Sequence, residues 1–464
     1  MIIWILLFLL ASPAQAVEKE IDFSLKSDKS IYEVGRDGSY DYSPSIIEQE
    51  NGDKYIYVCG GFVSEDDNRG HDAIFLTVIN KDGQKTIDSK RVLTPLVSNP
   101  KSDDAEHACA PSVIKHSFSL LEGGKEKYLM YYECAPKVHS QTTGQWLNNF
   151  TQICLAFSDD GIEWKKYNEE IFNSEHRFAN ASEPPTAVVK TSEEMNSKFG
   201  IQKLEGKYIT SAREYDINSY GVGHPSATTY GGKVWLHYYD SKGEWNNRGI
   251  YRKVTSDGFH FYPETTQIKQ LKSPYEIKYV ETPMNGHDGF FLGLMVAKDV
   301  YYNYSWDGIN WFWTEEGADE KFYDNYLGNN FLIGKVTEGK CMAPGGAGLV
   351  TNKLGIIKGT NVEFMMNEGY LGSADNCNAT NGCKCYSKDE DTARGYTWQS
   401  YGFSGVLTNS NGRKPGDANG DGLVNIVDYN IWKREFINNT KDKADFNGNG
   451  EVDLNDYKIW KQNV

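Results

Sequence analysis

Cys109–Ile114 reads CAPSVI, Lys127–Ala135 reads KYLMYYECA and Ser158–Trp164 reads SDDGIEW. In this one stretch a proline-bearing lead-in is followed by a run of aromatic and aliphatic residues, and then by an Asp-Gly pair with an aromatic three places beyond it. β-branched and aromatic side chains suit a pleated, half-buried surface. An Asp-Gly pair sets a tight turn between antiparallel strands. Apolar residues do not recur at the helical period, so the stretch predicts short strands joined by turns.

The same signals recur on both sides. Lead-ins stand at Tyr42 (YSPSII), Gly223 (GHPSAT), Glu281 (ETPMNG) and Met342 (MAPGGA), each before a strand run: KYIYVCGGF at Lys54, KVWLHYYD at Lys233, FFLGLMVA at Phe290 and VEFMMNEGY at Val362. The Asp-Gly hairpin returns as TSDGFHF at Thr255 and SWDGINW at Ser305. The interval is about 60 residues with one longer gap, which gives five units between residues 17 and 403. Four short strands at that period read as one propeller blade, because radial repetition leaves only short, protected sheet edges. The expected fold is an all-β five-bladed β-propeller; a jelly roll or a stacked sandwich pair is the competing arrangement.

A second repeat fills residues 415–464: DANGDGLVNIVDYNIWK from Asp417 and DFNGNGEVDLNDYKIWK from Asp445. Oxygen-bearing side chains fall at loop positions 1, 3, 5, 9 and 12, namely Asp417, Asn419, Asp421, Asn425 and Asp428, then Asp445, Asn447, Asn449, Asp453 and Asp456. The backbone carbonyls of Leu423 and Glu451 are expected at position 7, and Gly422 and Gly450 stand where an EF-hand calcium loop turns sharply. Position 12 is Asp rather than Glu, and each loop is followed by one short amphipathic helix. The duplication resembles a type I dockerin, and that resemblance implies two Ca²⁺ sites and a cohesin on a scaffold or cell surface as partner. Residues 404–414, rich in Gly, Asn and Ser, read as a linker.

At the other end, IIWILLFLL followed by ASPAQA reads as a signal peptide over residues 1–16, cleaved after Ala16. Its apolar run is about half of the roughly 20 residues needed to span a bilayer, and no other segment comes near that length, so no membrane span is expected. A formal net charge of −16 argues against a nucleic-acid footprint, which needs clustered Lys and Arg. Eight cysteines in an exported chain predict disulfides, with the pairing left open. No P-loop, dinucleotide fingerprint, GxSxG elbow or HExxH motif occurs.

The proline lead-in, the KYxxYY strand and the SxDGxxW hairpin together resemble the five-bladed β-propeller glycoside hydrolases of families 43 and 32. The resemblance implies carboxylates pointing into a central funnel, one protonating the leaving oxygen and one activating water. The candidates are the acids beside the prolines: Asp41, Asp103, Asp104, Glu106, Glu183 and Glu281. Glu183, in SEPPTAVV, matches the family's general acid, which stands just before a proline and a β-branched strand. The family's base precedes the first-blade proline directly. Ser43 holds that place here, and Asp41 is the nearest carboxylate. Asp104 completes the expected catalytic set. His224 and His107 are candidate hydrogen-bond partners for sugar hydroxyls; Trp146 and Trp245, in Asn- and Gly-rich stretches, are candidate stacking surfaces.

The expected function is that of a secreted carbohydrate-active protein, an inverting O-glycosyl hydrolase acting on polysaccharide and held by the C-terminal module to a scaffold. The alternative is a non-catalytic glycan-binding or adhesion propeller displayed by the same module.

Overall fold

The computed structural model describes residues 20–27, 30–35, 41–117, 126–147, 150–180, 182–214, 219–243, 248–268, 271, 276–296, 300–312, 331–334, 341–371, 396–409, 416–418, 424–438, 444–446 and 451–464. The signal-peptide segment, residues 410–414 of the expected linker and the cysteines 377, 383 and 385 lie outside these; residues 404–409, also expected in the linker, instead continue the strand Tyr396–Asn409.

The aromatic and β-branched runs form antiparallel blades. Blade I comprises Asp41–Glu48, Lys54–Val63, Gly70–Ile79 and Lys85–Leu93; blade II comprises His107–Ser117, Glu126–Ala135, Gln152–Ser158 and Lys165–Lys166. Blade III comprises Val222–Tyr230, Lys233–Asp240, Gly249–Thr255 and Thr266–Ile268; blade IV comprises Glu276–Glu281, Phe290–Val296, Val300–Ser305 and Phe331–Gly334. Blade V holds Cys341–Thr351, Asn361–Leu371 and Tyr396–Asn409, and the N-terminal strand Ile21–Leu25 pairs antiparallel with its last strand. The first strand of each blade touches the first strand of the next, from I round to V and back to I, so the ring closes.

Five buried apolar clusters lie between successive blades, one at each interface. Burial of this kind contributes about 25 cal/mol per Å² of apolar surface, so the interfaces hold the ring together. Polar locks fix its register. Ser45 Oγ accepts from Val113 N–H at 2.9 Å, Ser112 Oγ from Ala227 N–H at 2.8 Å and Ser226 Oγ from Ile277 N–H at 2.8 Å. The serine of each Pro-Ser pair therefore bonds the first strand of the following blade. The same lead-ins carry β-bulges, and the residue before each proline has positive φ: Ser43 at 50°, Ala110 at 40° and His224 at 47°. Such backbone is strained for a side-chain-bearing residue and clusters at functional positions.

The Asp-Gly hairpins do a second locking job. In SDDGIEW the Asp160 carboxylate accepts from Ile162 N–H at 2.8 Å and Glu163 N–H at 2.9 Å, while Tyr57 of blade I donates to Gly161 O at 2.7 Å. Tyr131 of blade II donates to Gly258 O at 2.5 Å, and Arg252 of blade III to Gly308 O at 3.2 Å. Gly161 has φ of 78°, and a Cβ there would lie 2.8 Å from the Tyr57 hydroxyl, so glycine is required.

One lead-in is placed differently. ETPMNG stands before FFLGLMVA as expected, but the other lead-ins lie within the first strand of their blade, whereas this one starts at the last residue of Glu276–Glu281, the strand that pairs with Phe290–Val296, and Met284–His287 makes the turn between them. Among the described residues two disulfides are formed, Cys59–Cys109 between blades I and II and Cys134–Cys154 within blade II.

A separate four-stranded sheet draws Val138–Ser140 and Trp146–Leu147 from between the second and third strands of blade II, and Gln202–Leu204 and Lys207–Thr210 from the segment joining blades II and III, which also holds the helices Glu169–Glu175 and Glu193–Phe199. The C-terminal module has two helices, Ile426–Asn438 and Leu454–Asn463, around Ala418, Trp432, Ala444, Phe446 and Ile459. Its repeats lock reciprocally: Trp432 Nε1 donates to Asp453 O at 3.0 Å, and Trp460 Nε1 to Asn425 O at 2.8 Å. Among the described residues no helix is long and apolar enough to cross a membrane.

Candidate functional site

The first strands of blades I to III begin at the same end of the ring, which puts Asp41, His107 and Val222–His224 around one mouth. The neighbouring strands add to it. Asp72, at the start of the third strand of blade I, pairs in register with His107, and Glu133, near the end of the second strand of blade II, pairs with Cys109.

His107 is the centre of this cluster. Its Nδ1 lies 2.7 Å from Asp72 Oδ2 and its Nε2 3.1 Å from Glu133 Oε1. Burial alone lowers the basicity of an imidazole, but the hydrogen bonds to Asp72 and Glu133 outweigh it and push the pKa up to about 10. The ring is therefore an imidazolium at neutral pH. Glu133 also accepts from the Tyr220 hydroxyl and, at 3.1 Å, from the His224 N–H. Burial raises the pKa of a carboxyl group, yet His107, His224 and Tyr220 together hold that of Glu133 below the ordinary value. A carboxylate only 4% exposed is thus kept ionised at the mouth.

His224 stacks on Tyr220 with ring centroids 6.0 Å apart and planes 17° from parallel. Burial lowers its pKa, so it is neutral near pH 7. Among the described residues nothing hydrogen-bonds its ring nitrogens, which leaves them available to a ligand. The rim carries Arg69, donating to Glu106 Oε1 at 2.7 Å, and Lys137, donating to Asp67 Oδ2 at 3.0 Å. The Cys59 and Cys109 sulfurs and an Asp72 oxygen lie within 4.8 Å of one another, but the sulfurs are bonded to each other and cannot ligate a metal as thiolates.

Several expected site residues lie elsewhere. Glu183 sits beside the outermost strand of blade II, where Ala179 bridges Lys166. Both its oxygens accept from Arg177 at 2.7 Å and Oε2 also from Asn180 N–H at 2.6 Å, and the Arg177 pair lowers its pKa to about 2. A group so strongly ionised has no proton to give a leaving oxygen, so the assignment of Glu183 as general acid is corrected. Asp104 is fully buried with Lys166 Nζ at 2.6 Å and Ser102 Oγ at 2.6 Å, a structural ion pair and not a catalytic group. Glu281, at the far end of its strand from the mouth, is exposed and pairs with Lys358 at 3.3 Å. Asp41, 1% exposed, stays at the mouth. Trp146 lies on the inserted sheet, and Trp245 lies outside the described residues. Sequence reasoning passed over Glu133 and Asp72 because neither adjoins a proline. The signal was there: Glu133 is the one acid inside KYLMYYECA.

In the C-terminal module Asp417, Asp428 and Asp456 are all 0% exposed. Buried carboxylates are costly unless paired or bound to a cation, and a cation held by these loops would offset their charge. Asn425 N–H donates to Asp428 Oδ2 and Asp453 N–H to Asp456 Oδ2, each at 2.8 Å, so equivalent positions of the two loops are shaped alike. Asp445, Asn425, Asp453 and Glu451 complete the described donors, and this all-oxygen set suits Ca²⁺. Asn419, Asp421, Leu423, Asn447 and Asn449 lie outside the described residues.

The family model for the dockerin type I domain matches residues 415–464. That segment is a dockerin, a calcium-binding domain whose partner is a cohesin. No curated protein matches the chain. Among solved structures, a family 117 glycoside hydrolase of the marine bacterium Zobellia galactanivorans is similar at 13% identity and TM-score 0.39, over 84% of this chain and 90% of that one. An α-L-arabinofuranosidase from Podospora anserina in complex with cellotriose is similar at 9% identity and TM-score 0.39, over 83% and 96%. An N-acetylgalactosamine deacetylase from F. plautii in complex with blood group B trisaccharide is similar at 12% identity and TM-score 0.41, over 83% and 94%.

Proposed function

We propose that the propeller is an extracellular glycoside hydrolase acting on polysaccharide, exported by its signal peptide and held to a scaffold through the dockerin and two Ca²⁺ ions. The observation that carries this reading is Glu133: a buried carboxylate, kept ionised by His107 and Tyr220, at the mouth of the ring. A carboxylate held ionised is able to take a proton from an attacking water.

In the reaction the water oxygen bonds to the anomeric carbon as the glycosidic C–O bond breaks. Glu133 takes the water proton. Asp41, on the neighbouring blade, is assigned to the leaving oxygen, in place of the base role expected for it. His224 offers a neutral ring to a sugar hydroxyl. A water attacking opposite the leaving group inverts the anomeric configuration, so proton NMR of the first-formed product should show the opposite anomer to the substrate.

Glu133→Gln removes the base and keeps the shape. On whichever of arabinan, xylan or fructan the wild type degrades, kcat should fall by about 10²–10⁴-fold with KM little changed. Asp41→Asn should behave alike, and Glu183→Gln should match the wild type. Full activity of Glu133→Gln would remove the assignment. A second reading, a glycan-binding propeller without turnover, is favoured by Ser43 standing before the first-blade proline where the resemblance expects an acid. It predicts sugar binding with no release of reducing ends by the wild type.

A further inference from the structure

The inserted sheet carries a row of side chains that the mouth does not use. Trp146 pairs in register with His139, His139 with Ile209, and Ile209 with Gln202, across all four strands. Residues directly opposite one another on adjacent strands share a face. The neighbouring row, Leu147, Val138, Tyr208 and Lys203, is on the other face, and there Val138 packs with Phe150 and Met195, backed by Phe199, Ile201 and Tyr208. The first row therefore faces solvent on a sheet braced from beneath.

Trp146 is 46% exposed and is held edge-on by His139, with centroids 5.1 Å apart and planes at 68°. The row spans three strand spacings, about 14 Å. It contains an indole, an imidazole, an aliphatic side chain and an amide, and no Asp, Glu, Lys or Arg. An aromatic face flanked by an imidazole and an amide fits the C–H faces and hydroxyls of neutral sugars. It is too small for a stable protein partner, which needs about 800 Å² on each side.

The sheet also follows directly from the mouth along the chain. Strand Val138–Ser140 begins three residues after Ala135, which pairs with His107 and accepts from Glu106 N–H at 2.9 Å. We propose that this sheet is a distal platform for a neutral polysaccharide chain: the chain running out of the mouth lies over Trp146, His139, Ile209 and Gln202, so the protein prefers polymers to short saccharides. The proposal rests on the reading of the mouth as a carbohydrate site.

The test uses the full chain with Trp146→Ala and, to guard against loss of the sheet itself, Trp146→Tyr, which keeps a stacking ring. Binding to soluble arabinan, xylan and fructan is measured by affinity electrophoresis, and turnover on the polymer and on a short aryl glycoside of the same sugar. Trp146→Ala should weaken polymer binding about tenfold, lower kcat/KM on the polymer alike and leave the short substrate unchanged, with Trp146→Tyr restoring most of the loss. Unchanged polymer binding by Trp146→Ala overturns the platform, as does an equal loss on the short substrate. Loss of binding by Trp146→Ala in a wild type that releases no sugar leaves the platform standing and removes only the hydrolytic reading.

Discussion

His107 concentrates the electrostatics of the mouth in one ring. Its folded pKa, near 10, lies above the ordinary imidazole value near 6.5, so its charge stabilises the fold. The sign follows from linkage: the contribution is complete below about pH 6.5 and is lost as pH rises through about 10. The thermal midpoint of the wild type should therefore fall relative to that of His107→Gln between pH 7 and pH 10, and parallel curves would contradict the imidazolium. Part of this was legible in the sequence. Asp41 and His224 stood out because they flank prolines, and the bulged strand starts do place them at the mouth. Glu183 stood out for the same reason, but a proline neighbour says nothing about whether Arg177 will neutralise the acid. Glu133 and Asp72 depend on strand pairing across a blade, which a linear pattern does not encode.

The recurring motifs turn out to be inter-blade fasteners. The Pro-Ser serines bond the next first strand, and the Asp-Gly hairpins present a glycine carbonyl to the preceding blade. This is why the repeat was readable: each lock needs the same residue type at the same place in its blade. Ser112 is fully buried, accepting from Ala227 N–H at 2.8 Å and facing Lys278 Nζ at 3.3 Å. Ser112→Ala leaves a buried N–H unpaired and should cost about 1–3 kcal/mol. The urea midpoint of the full chain checks this, and an unshifted midpoint would deny the lock its role. Blade IV escaped the motif because its first strand, Glu276–Glu281, has no Pro-Ser such as blades I to III carry, which moved the expected lead-in to the far end of the strand.

Across the whole molecule the dockerin and the propeller perform separable tasks. With the buried Asp417, Asp428 and Asp456 proposed as calcium ligands of the dockerin, chelation with EDTA should abolish cohesin binding and shift the indole signals of Trp432 and Trp460. Readdition should restore both at two Ca²⁺ per chain, and binding that survives chelation would contradict the calcium sites. The propeller's hydrolytic role is tested most directly by incubating the calcium-loaded full chain with arabinan, xylan and fructan and counting new reducing ends, with Glu133→Gln alongside. The account predicts release from at least one polymer by the wild type and almost none by the variant. Release that Glu133→Gln leaves intact, or none from any polymer that the wild type binds, would contradict it.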